Sequence, residues 1–286
     1  MRDEQSFLNE ILANPIDDAP RLIYADWLED QGSARSEFIR VQCELEHSPV
    51  DSPRHVELRS REDALLARYL TVWADAFLPL GIHPNAIRFR RGFVNAIGIE
   101  SRQCGAHLGT IRKLAPLLGR LYIHRAADHW DSIVRSPHLG NLLQLGCTMT
   151  ELTAEMVEGL LQRDDLASLV ALDFSNSNIG DGGLEAIANA QHLRNLIAID
   201  LSHCNLSWRG VRALLKSQLA TRIEWLNLSS NSIDERGFRL LLKTSSMPNM
   251  KKLQLDGRRV DYEIKARVKM AWKEVVTFSE LAHKTE

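Results

Sequence analysis

The sequence predicts an α/β fold in which short strands form a parallel inner sheet, helices cover its outer side, and a small all-α module comes first. Three observations indicate this fold. One phrase recurs with a 27-residue period from Leu169 to Val260. Within each copy, the apolar periodicity changes from that of a strand to that of a helix. The N-terminal part of the chain lacks this repeat and shows helical periodicity alone.

The composition is typical of a soluble globular protein, with 286 residues, 44% hydrophobic, 25% charged and a net charge of −2. The near-neutral charge argues against a general polyanion-binding protein. The N-terminal sequence MRDEQSFLNEILANP lacks the positive start and the apolar run of a signal peptide, so we expect a cytoplasmic protein. The four cysteines form no CxxC pair, and we expect them to be reduced and buried.

The N-terminal module is predicted to contain four helices. An apolar stripe around residues 7–12 ends at Asn14-Pro15, and a second helix follows a cap at Asp17 or Asp18 and stops at Gly32. The stretch RSEFIRVQCELE continues as a third helix, and a long fourth helix runs from about residue 54 towards residue 77. The module is therefore expected to span residues 1–80.

Four charged residues of this module form pairs at helical spacing. Asp26 and Glu29 are three residues apart, and so are Glu37 and Arg40. Pairs at this spacing usually form surface or inter-helix salt bridges. We expect these residues to link helices, with a recognition surface as the alternative.

The repeated phrase begins with a short strand. Its second core residue is Phe174, Leu201, Leu228 and Leu255 in four successive copies, one full period apart. Another apolar residue precedes each of these by two positions, and this spacing predicts a strand with one buried face.

The second half of each phrase predicts a helix. Leu184, Ile187 and Ala188 define an apolar stripe that returns in the next two copies at the same register. A glycine precedes the stripe each time: Gly183, Gly210 and Gly237. Ser207 and Asp234 occupy positions where a helix N-cap is favourable, whereas Gly180 fills the equivalent slot less well.

Earlier and later segments extend the predicted stack. Apolar pairs near residues 94–99, 121–123 and 145 predict further strands of the same sheet at irregular spacing. We therefore expect a repeat domain over residues 81–261. A helix from about Tyr262 to Lys284, within a final segment 262–286, is predicted to cover the exposed end of the core.

The repeat resembles the leucine-rich repeat in its ribonuclease-inhibitor-like form, which follows the pattern L-x-x-L-x-L-x-x-N-x-L. The asparagine position holds Ser177, Cys204, Asn231 and Arg258 in the four units, so the last unit departs most from the pattern. The resemblance implies a curved leucine-rich-repeat solenoid with a concave, strand-lined face.

The stretch RLIYADWLEDQGSARSEFIRVQCEL resembles the repeat-companion domain, a small bacterial module that is notable in planctomycetes and usually precedes leucine-rich repeats. That family has no established activity to carry over. The resemblance therefore implies an architecture and no mechanism.

The favoured function is a non-catalytic scaffold that binds a protein partner on the concave face. Side chains beside the buried strand residues point away from the core and form the candidate binding surface. Its residues are Asp173, Asn176, Asp200, His203, Trp225, Asn227, Lys252 and Gln254. Trp225 is the candidate anchor, because large aromatic residues dominate interface energetics. We expect a monomer without cofactor, metal site, catalytic residue or membrane contact.

Two alternatives stay open. A nucleic-acid-binding protein would use the basic region between Arg88 and Arg125, because arginine and lysine near aromatic residues grip phosphates. A hydrolase would need a site at the junction between the helical module and the repeats. His124, Asp128 and His129 have partial metal-ligand character, but no second cluster completes a four-ligand set.

Overall fold

The computed structural model describes residues 4–257 and 260–278. The chain divides into two compact units. The first consists of Met1–Gly98 and His107–Arg120, and the second of Ile99–Ala106 and Leu121–Glu286. The expected domain boundaries at residues 80/81 and 261/262 follow the repeat pattern and stay a prediction.

The first unit begins with four helices, as the sequence predicts. They are α1 (Glu4–Ala13), α2 (Ala19–Asp30), α3 (Arg35–His47) and α4 (Pro53–Trp73). The long helix α4 is shorter than predicted, because a 3₁₀ segment containing Pro79 follows it over Asp75–Leu80. Two strands complete the first unit, β1 (Ile87–Arg90) and β2 (Phe93–Glu100), of which β2 continues into the second unit.

Aromatic side chains join α1, α2 and β2 in the first unit. Tyr24 stacks against Trp27 and Phe93, with ring centroids 5.9 and 6.1 Å apart. The Tyr24 hydroxyl donates to a Glu4 carboxylate oxygen at 2.6 Å, so its buried polar atom has a partner. A neighbouring cluster packs Phe38 against Leu58 and Leu65 of α4. Each of the four helices thereby buries apolar side chains, while Leu12, Leu22 and Ile23 stay exposed.

β1 and β2 form an antiparallel hairpin that the sequence analysis did not predict. Its two turn residues, Arg91 and Gly92, have φ values of 51° and 81°, as a type I′ turn requires. A Cβ at Gly92 would collide with Ile39, so the close approach of α3 also requires glycine here.

The second unit alternates strands and helices. It contains α5 (Ser101–Leu114, continuing into the first unit), β3 (Arg120–His124), α6 (Trp130–Val134), β4 (Gln144–Thr148), α7 (Ala154–Leu161), β5 (Ala171–Asp173), α8 (Gly180–Asn189), β6 (Ala198–Asp200), α9 (Trp208–Lys216), β7 (Trp225–Asn227), α10 (Glu235–Leu241), β8 (Lys252–Leu255), α11 (Tyr262–Trp272) and β9 (Val276–Phe278). Strands β4 to β9 pair in chain order and run parallel.

The constant repeat period sets the register of the regular strands. Leu172 lies opposite Ile199, Ile199 opposite Leu226, and Leu226 opposite Leu253. Each of these side chains is at most 2% exposed, whereas both neighbours within the same strand are more exposed. The sequence prediction of strands with one buried face is therefore confirmed.

The predicted caps at the start of α9 and α10 are confirmed. Ser207 Oγ accepts the amide of Arg209, and an Asp234 carboxylate oxygen accepts the amides of Arg236 and Gly237. Gly180 is not a cap, because α8 already begins at that residue.

A second kind of cap crosses from one repeat to the next. Asp181 in α8 accepts the backbone amides of Ser207 and Gly210 at 2.8 and 2.9 Å, together with the Ser207 hydroxyl at 2.5 Å. The first turn of α9 therefore depends on a carboxylate that the preceding repeat supplies.

The asparagine position of the repeat ties each turn to the preceding unit. Ser177 Oγ donates to the Cys147 carbonyl at 2.6 Å, Cys204 Sγ to the Phe174 carbonyl at 2.9 Å, and Asn231 Nδ2 to the Leu201 carbonyl at 2.7 Å. Acceptor and donor have the same separation along the chain in all three bonds. Serine and cysteine thus bond the turn backbone from the asparagine position, while Arg258 lies outside the described residues.

The predicted C-terminal helix is too long. Helix α11 ends at Trp272, because Lys273 takes a backbone conformation (φ 48°, ψ −123°) that no helix accommodates. Val276, Thr277 and Phe278 then form β9, as their β-branched and aromatic side chains favour. Ile264, Val268 and Trp272 are buried, whereas Ala271 is exposed. The rest of the predicted C-terminal segment, residues 279–286, lies outside the described residues.

We expect Asn231→Ala to destabilise the protein more than Ser177→Ala. The Asn231 side chain makes five hydrogen bonds to backbone groups, and Ser177 makes two. Unpaired buried polar groups suggest losses of about 3 kcal/mol for Asn231→Ala and about 1 kcal/mol for Ser177→Ala in urea unfolding. The exposed neighbour Ser232, changed to Ala, serves as the control. Equal losses at positions 231 and 177 would contradict this hydrogen-bond account.

Candidate functional site

The exposed face of the repeat sheet carries two rows of aligned side chains, which we call the polar row and the mixed row. The polar row is Asp173, Asp200, Asn227 and Gln254. The mixed row is Ala171, Ala198, Trp225 and Lys252. The structure therefore brings six of the eight candidate residues together on adjacent strands.

The first three residues of the polar row hold the turns that follow their strands. Asp173, Asp200 and Asn227 each accept the backbone amide of the serine two residues later, at 2.9 to 3.0 Å. Asn227 Nδ2 also donates to Asp200 Oδ2 at 3.0 Å. These side chains are half-buried and fixed in orientation, so any ligand would meet a preformed polar surface.

The remaining two candidates, Asn176 and His203, lie in the turns beyond the strands. Asn176, His203 and Ser230 have φ values of 55° to 56°, one in each repeat. Asparagine is among the residues that tolerate this left-handed conformation best, and histidine is also enriched there. Backbone geometry therefore explains part of this residue choice. Asn176 and His203 remain exposed and accessible.

Trp225 lies in a row of small side chains. Its strand neighbours are Ala198 on one side and Lys252 on the other, with Ala171 one strand further along. The indole is half-buried. Because alanine is small, no bulky side chain of the row covers the Ala198 side of the Trp225 ring. The surface is therefore shallow on that side and leaves the ring accessible.

Tyr122 extends this surface on the side of β4. A Cβ at Gly146 would lie 2.6 Å from the Tyr122 ring and 3.5 Å from Asp173 Cβ, so glycine makes room for the ring next to the polar row. Tyr122 was not predicted from the sequence as part of this surface. The repeat spacing before residue 145 is irregular, so its strand position could not be aligned with the later repeats. The serines that hold Asp173 and its equivalents were also missed, although their recurrence two residues after each polar-row residue is visible in the sequence.

Burial raises the pKa of the Asp173 carboxyl above its ordinary value, and the Asp200 carboxylate adds to this increase. Hydrogen bonds from Ser175 and the nearby His124 act in the opposite direction. Two carboxyl groups on adjacent strands thus share one surface, and the half-buried Asp173 resists ionisation.

The other polar candidates are held by structural contacts. His124 Nδ1 lies 3.0 Å from Thr148 Oγ1, His129 Nδ1 lies 3.0 Å from Ser101 Oγ, and Asp128 pairs with Arg125 at 3.2 Å. Over residues 4–257 and 260–278, no three His, Cys, Asp or Glu side chains are grouped to hold a metal ion. All four cysteines are free thiols and buried. Burial raises the pKa of the Cys204 thiol to about 12, so this group stays protonated.

The charged residues of the first unit link helices, as the sequence predicts. Arg40 contacts Asp26 at 2.6 Å and Glu29 at 2.7 Å, joining α3 to α2. Glu37 pairs with Arg61 of α4. Asp26, Glu29 and Glu37 are solvent-accessible, so these surface pairs orient the helices but add little to the free energy of unfolding.

Several arginines of the basic region between Arg88 and Arg125 are committed to internal contacts. Arg90 pairs with Glu46 at 2.6 Å, Arg91 pairs with Asp18 at 3.3 Å, and Arg112 donates to the Leu118 carbonyl at 2.8 Å. Burial lowers the pKa of the Arg112 guanidinium. Arg102 and Lys113 on α5 remain exposed.

Comparison with known proteins identifies the repeat. A family model described as Leucine Rich repeat matches residues 166–188 and 192–215, which contain β5 with α8 and β6 with α9. The chain contains leucine-rich repeats. No curated protein matches the chain. Among the described residues, no helix has the length and apolar character needed to cross a bilayer.

Two solved structures resemble the leucine-rich-repeat chain at a distance. One is from the crystal structure of the Rad7 and Elc1 complex in yeast, with a TM-score of 0.46, 16% identity, and coverage of 63% of this chain and 44% of that one. The other is an internalin from Listeria monocytogenes, with a TM-score of 0.33, 16% identity, and coverage of 57% and 55%. The present chain thus spans about half the length of either. Neither likeness carries a functional conclusion.

We expect the free energy of unfolding of the Asp173→Asn variant, measured against that of the parent protein, to increase as the pH rises from 4 to 7. The folded chain holds the Asp173 proton more tightly than the ordinary value of 3.8 implies, so ionisation costs stability as the pH rises through this interval. Asparagine accepts the same serine amide, as Asn227 shows. Urea unfolding at both pH values measures the difference. The reciprocal Asn227→Asp variant should show the opposite trend, and a pH-independent Asp173→Asn difference would contradict the prediction.

Proposed function

We propose that this leucine-rich-repeat protein is a non-catalytic scaffold that binds a protein partner on the exposed face of its repeat sheet, the face that the sequence analysis expects to be concave. Trp225 carries the proposal. Trp225 is half-buried beside the small side chain of Ala198, so it offers a large and accessible apolar contact surface. Trp is among the residue types that contribute most to protein interfaces. A cytoplasmic location is part of the same proposal.

The surface around Trp225 supports recognition of another protein. Lys252 is exposed on one side, and Asp200 with Asn227 forms a hydrogen-bonded polar pair on the other. An apolar centre with a polar rim is the usual anatomy of a protein interface. Because Asp200 and Asn227 are already held by hydrogen bonds, ordering these two side chains on binding would cost little entropy.

The subclass and the companion module stay predictions. The ribonuclease-inhibitor-like form and the bacterial repeat-companion domain rest on the residues quoted from the sequence. The proposed scaffold needs neither, because it depends on the strand register and on the side chains of the exposed face.

Photo-crosslinking tests the proposed surface directly. A photoreactive phenylalanine analogue placed at position 252, next to Trp225, should crosslink to a specific protein in extracts of the native cell. The same analogue at exposed Arg135, away from both rows, is the control. Identical products from both positions, or none at position 252, would contradict the choice of surface.

Once a partner is identified, we expect Trp225→Ala to weaken its binding by about 30-fold or more, the loss typical of a central interface tryptophan. Lys252→Glu should change the affinity and its salt dependence, because it reverses an exposed charge on the same face. Isothermal titration calorimetry measures both effects, and circular dichroism verifies the fold. Unchanged affinity in both variants would place the partner elsewhere on the molecule.

A further inference from the structure

The outer helices change charge sign between α8 and α9. Three exposed positions, the third at or just after the helix end, recur with the repeat period along α7, α8, α9 and α10. The first position is Glu155, Gly182, Arg209 and Arg236; the second is Glu158, Glu185, Arg212 and Arg239; the third is Gln162, Asn189, Lys216 and Lys243. These three equivalent repeat positions are thus acidic or neutral on α7 and α8, and all basic on α9 and α10.

The low net charge of the whole chain conceals this separation. Residues 121–207 contain 4 Lys and Arg against 11 Asp and Glu, whereas residues 208–278 contain 15 against 7. The near-neutral total, the basis for expecting no general polyanion binding, thus includes two oppositely charged segments. A local anion-binding face is therefore compatible with the composition.

The six basic residues, which we call the basic array, are all exposed along two helices that pack against each other. Three cations along each helix spread over about 10 Å of helix axis, and packed helix axes lie about 8–10 Å apart. The basic array is therefore a compact two-by-three grid, with a size suited to a short stretch of a charged polymer.

Most of the array is free of intramolecular ion pairs. Within the described part of the chain, its one carboxylate partner is Glu235, which lies 3.5 Å from Arg239. Arg209 and Arg236 instead lie over the Trp208 ring, 5.5 and 5.8 Å from its centroid. Cation–π contacts keep the guanidinium charge available while restricting the side chain. The array thus contrasts with the basic region between Arg88 and Arg125, where several cations are already paired.

The chemistry of the array favours phosphates over a protein or a lipid surface. Trp208 of α9 is half-buried with Arg209 and Arg236 over its ring, and no exposed large hydrophobic side chain of the described residues lies on α9 or α10. A protein interface usually has an apolar centre, and stable membrane attachment takes an apolar or lipid anchor in addition to basic residues. Interfaces with nucleic acid are polar and strongly basic, and arginine suits phosphate geometry. Four of the six cations are arginine.

We propose that the basic array along α9 and α10 binds the phosphate backbone of nucleic acid. Phosphate contacts carry no sequence information directly, so we expect this contact to bind without base specificity. This surface is separate from the sheet face, so the chain would join a nucleic acid on its outer helices to a protein partner on its strands. The acidic positions on α7 and α8 confine the bound polymer to the two basic helices.

The test is fluorescence anisotropy with a labelled 20-nucleotide oligothymidine and the full chain. If each of the six cations neutralises one phosphate, log Kobs against log salt concentration should have a slope of about −4. We expect Arg212→Glu/Lys243→Glu to weaken binding at least tenfold at low salt and to make the slope shallower by about 1.4, because two ionic contacts are lost. Both side chains are exposed, and glutamate maintains helix propensity at position 212, while position 243 follows the end of α10.

The matched control is Arg102→Glu/Lys113→Glu on α5. It changes the net charge by the same amount at two exposed positions of the other basic region. We expect its affinity to stay within about twofold of the parent protein. Equal weakening by the two double variants would overturn the proposal, because net charge rather than the array would then govern binding. Absence of binding by the parent protein at low salt would also overturn it.

Two competitors separate nucleic acid from other anions. Poly-glutamate, or vesicles made of equal amounts of phosphatidylserine and phosphatidylcholine, are added at the same charge concentration as the oligonucleotide. We expect both to compete at least tenfold less well than unlabelled oligothymidine. Equal competition by either would reassign the array to an acidic protein or to a membrane. Trp225→Ala should leave oligonucleotide binding unchanged, so this test and that of the sheet face can fail independently.

Discussion

The repeat structure depends on a hydrogen bond that no unit can make alone. In three successive turns, a side chain donates to a backbone carbonyl of the preceding unit, always at the same distance along the chain. The side chain differs each time, being serine, cysteine or asparagine, while the acceptor position is constant. Because a buried carbonyl without a donor is costly, this contact fixes how far each strand advances along its neighbour. The rows of exposed side chains on the sheet follow from that fixed advance.

The regular strands and helices could be predicted from the sequence because their apolar pattern recurs in each repeat. Leu172, Ile199, Leu226 and Leu253 are separated by equal intervals, so four weak strand signals reinforce one another. The β1–β2 hairpin lacked such reinforcement, and its Arg91-Gly92 turn does not carry the common Asn-Gly or Asp-Gly signature. Strand β9 escaped notice for a related reason. It has three residues, and it follows a helix whose apolar stripe continued into Val275.

The candidate surface shows the same division between what repeats and what does not. Register placed Asp173, Asp200 and Asn227 in one row, as expected from their spacing. Their hydrogen bonds to following serines depend on side-chain rotation, which periodicity does not report. The contrast between paired arginines near Arg90 and unpaired cations near Arg212 was equally hidden. A linear count of charges does not show which carboxylates lie within reach of which cations.

The carboxylate of Asp181 lies in the preceding repeat and accepts hydrogen bonds from the first turn of α9. This contact affects the order in which the helices fold. Helix α9 has nine residues, too few to persist alone in water. Its nucleation is therefore easiest once the neighbouring repeat is already in place. Order should spread from α8 to α9, and local opening of the α8 unit should release α9 with it. A single acidic side chain thus couples the opening of two adjacent helices into one cooperative event.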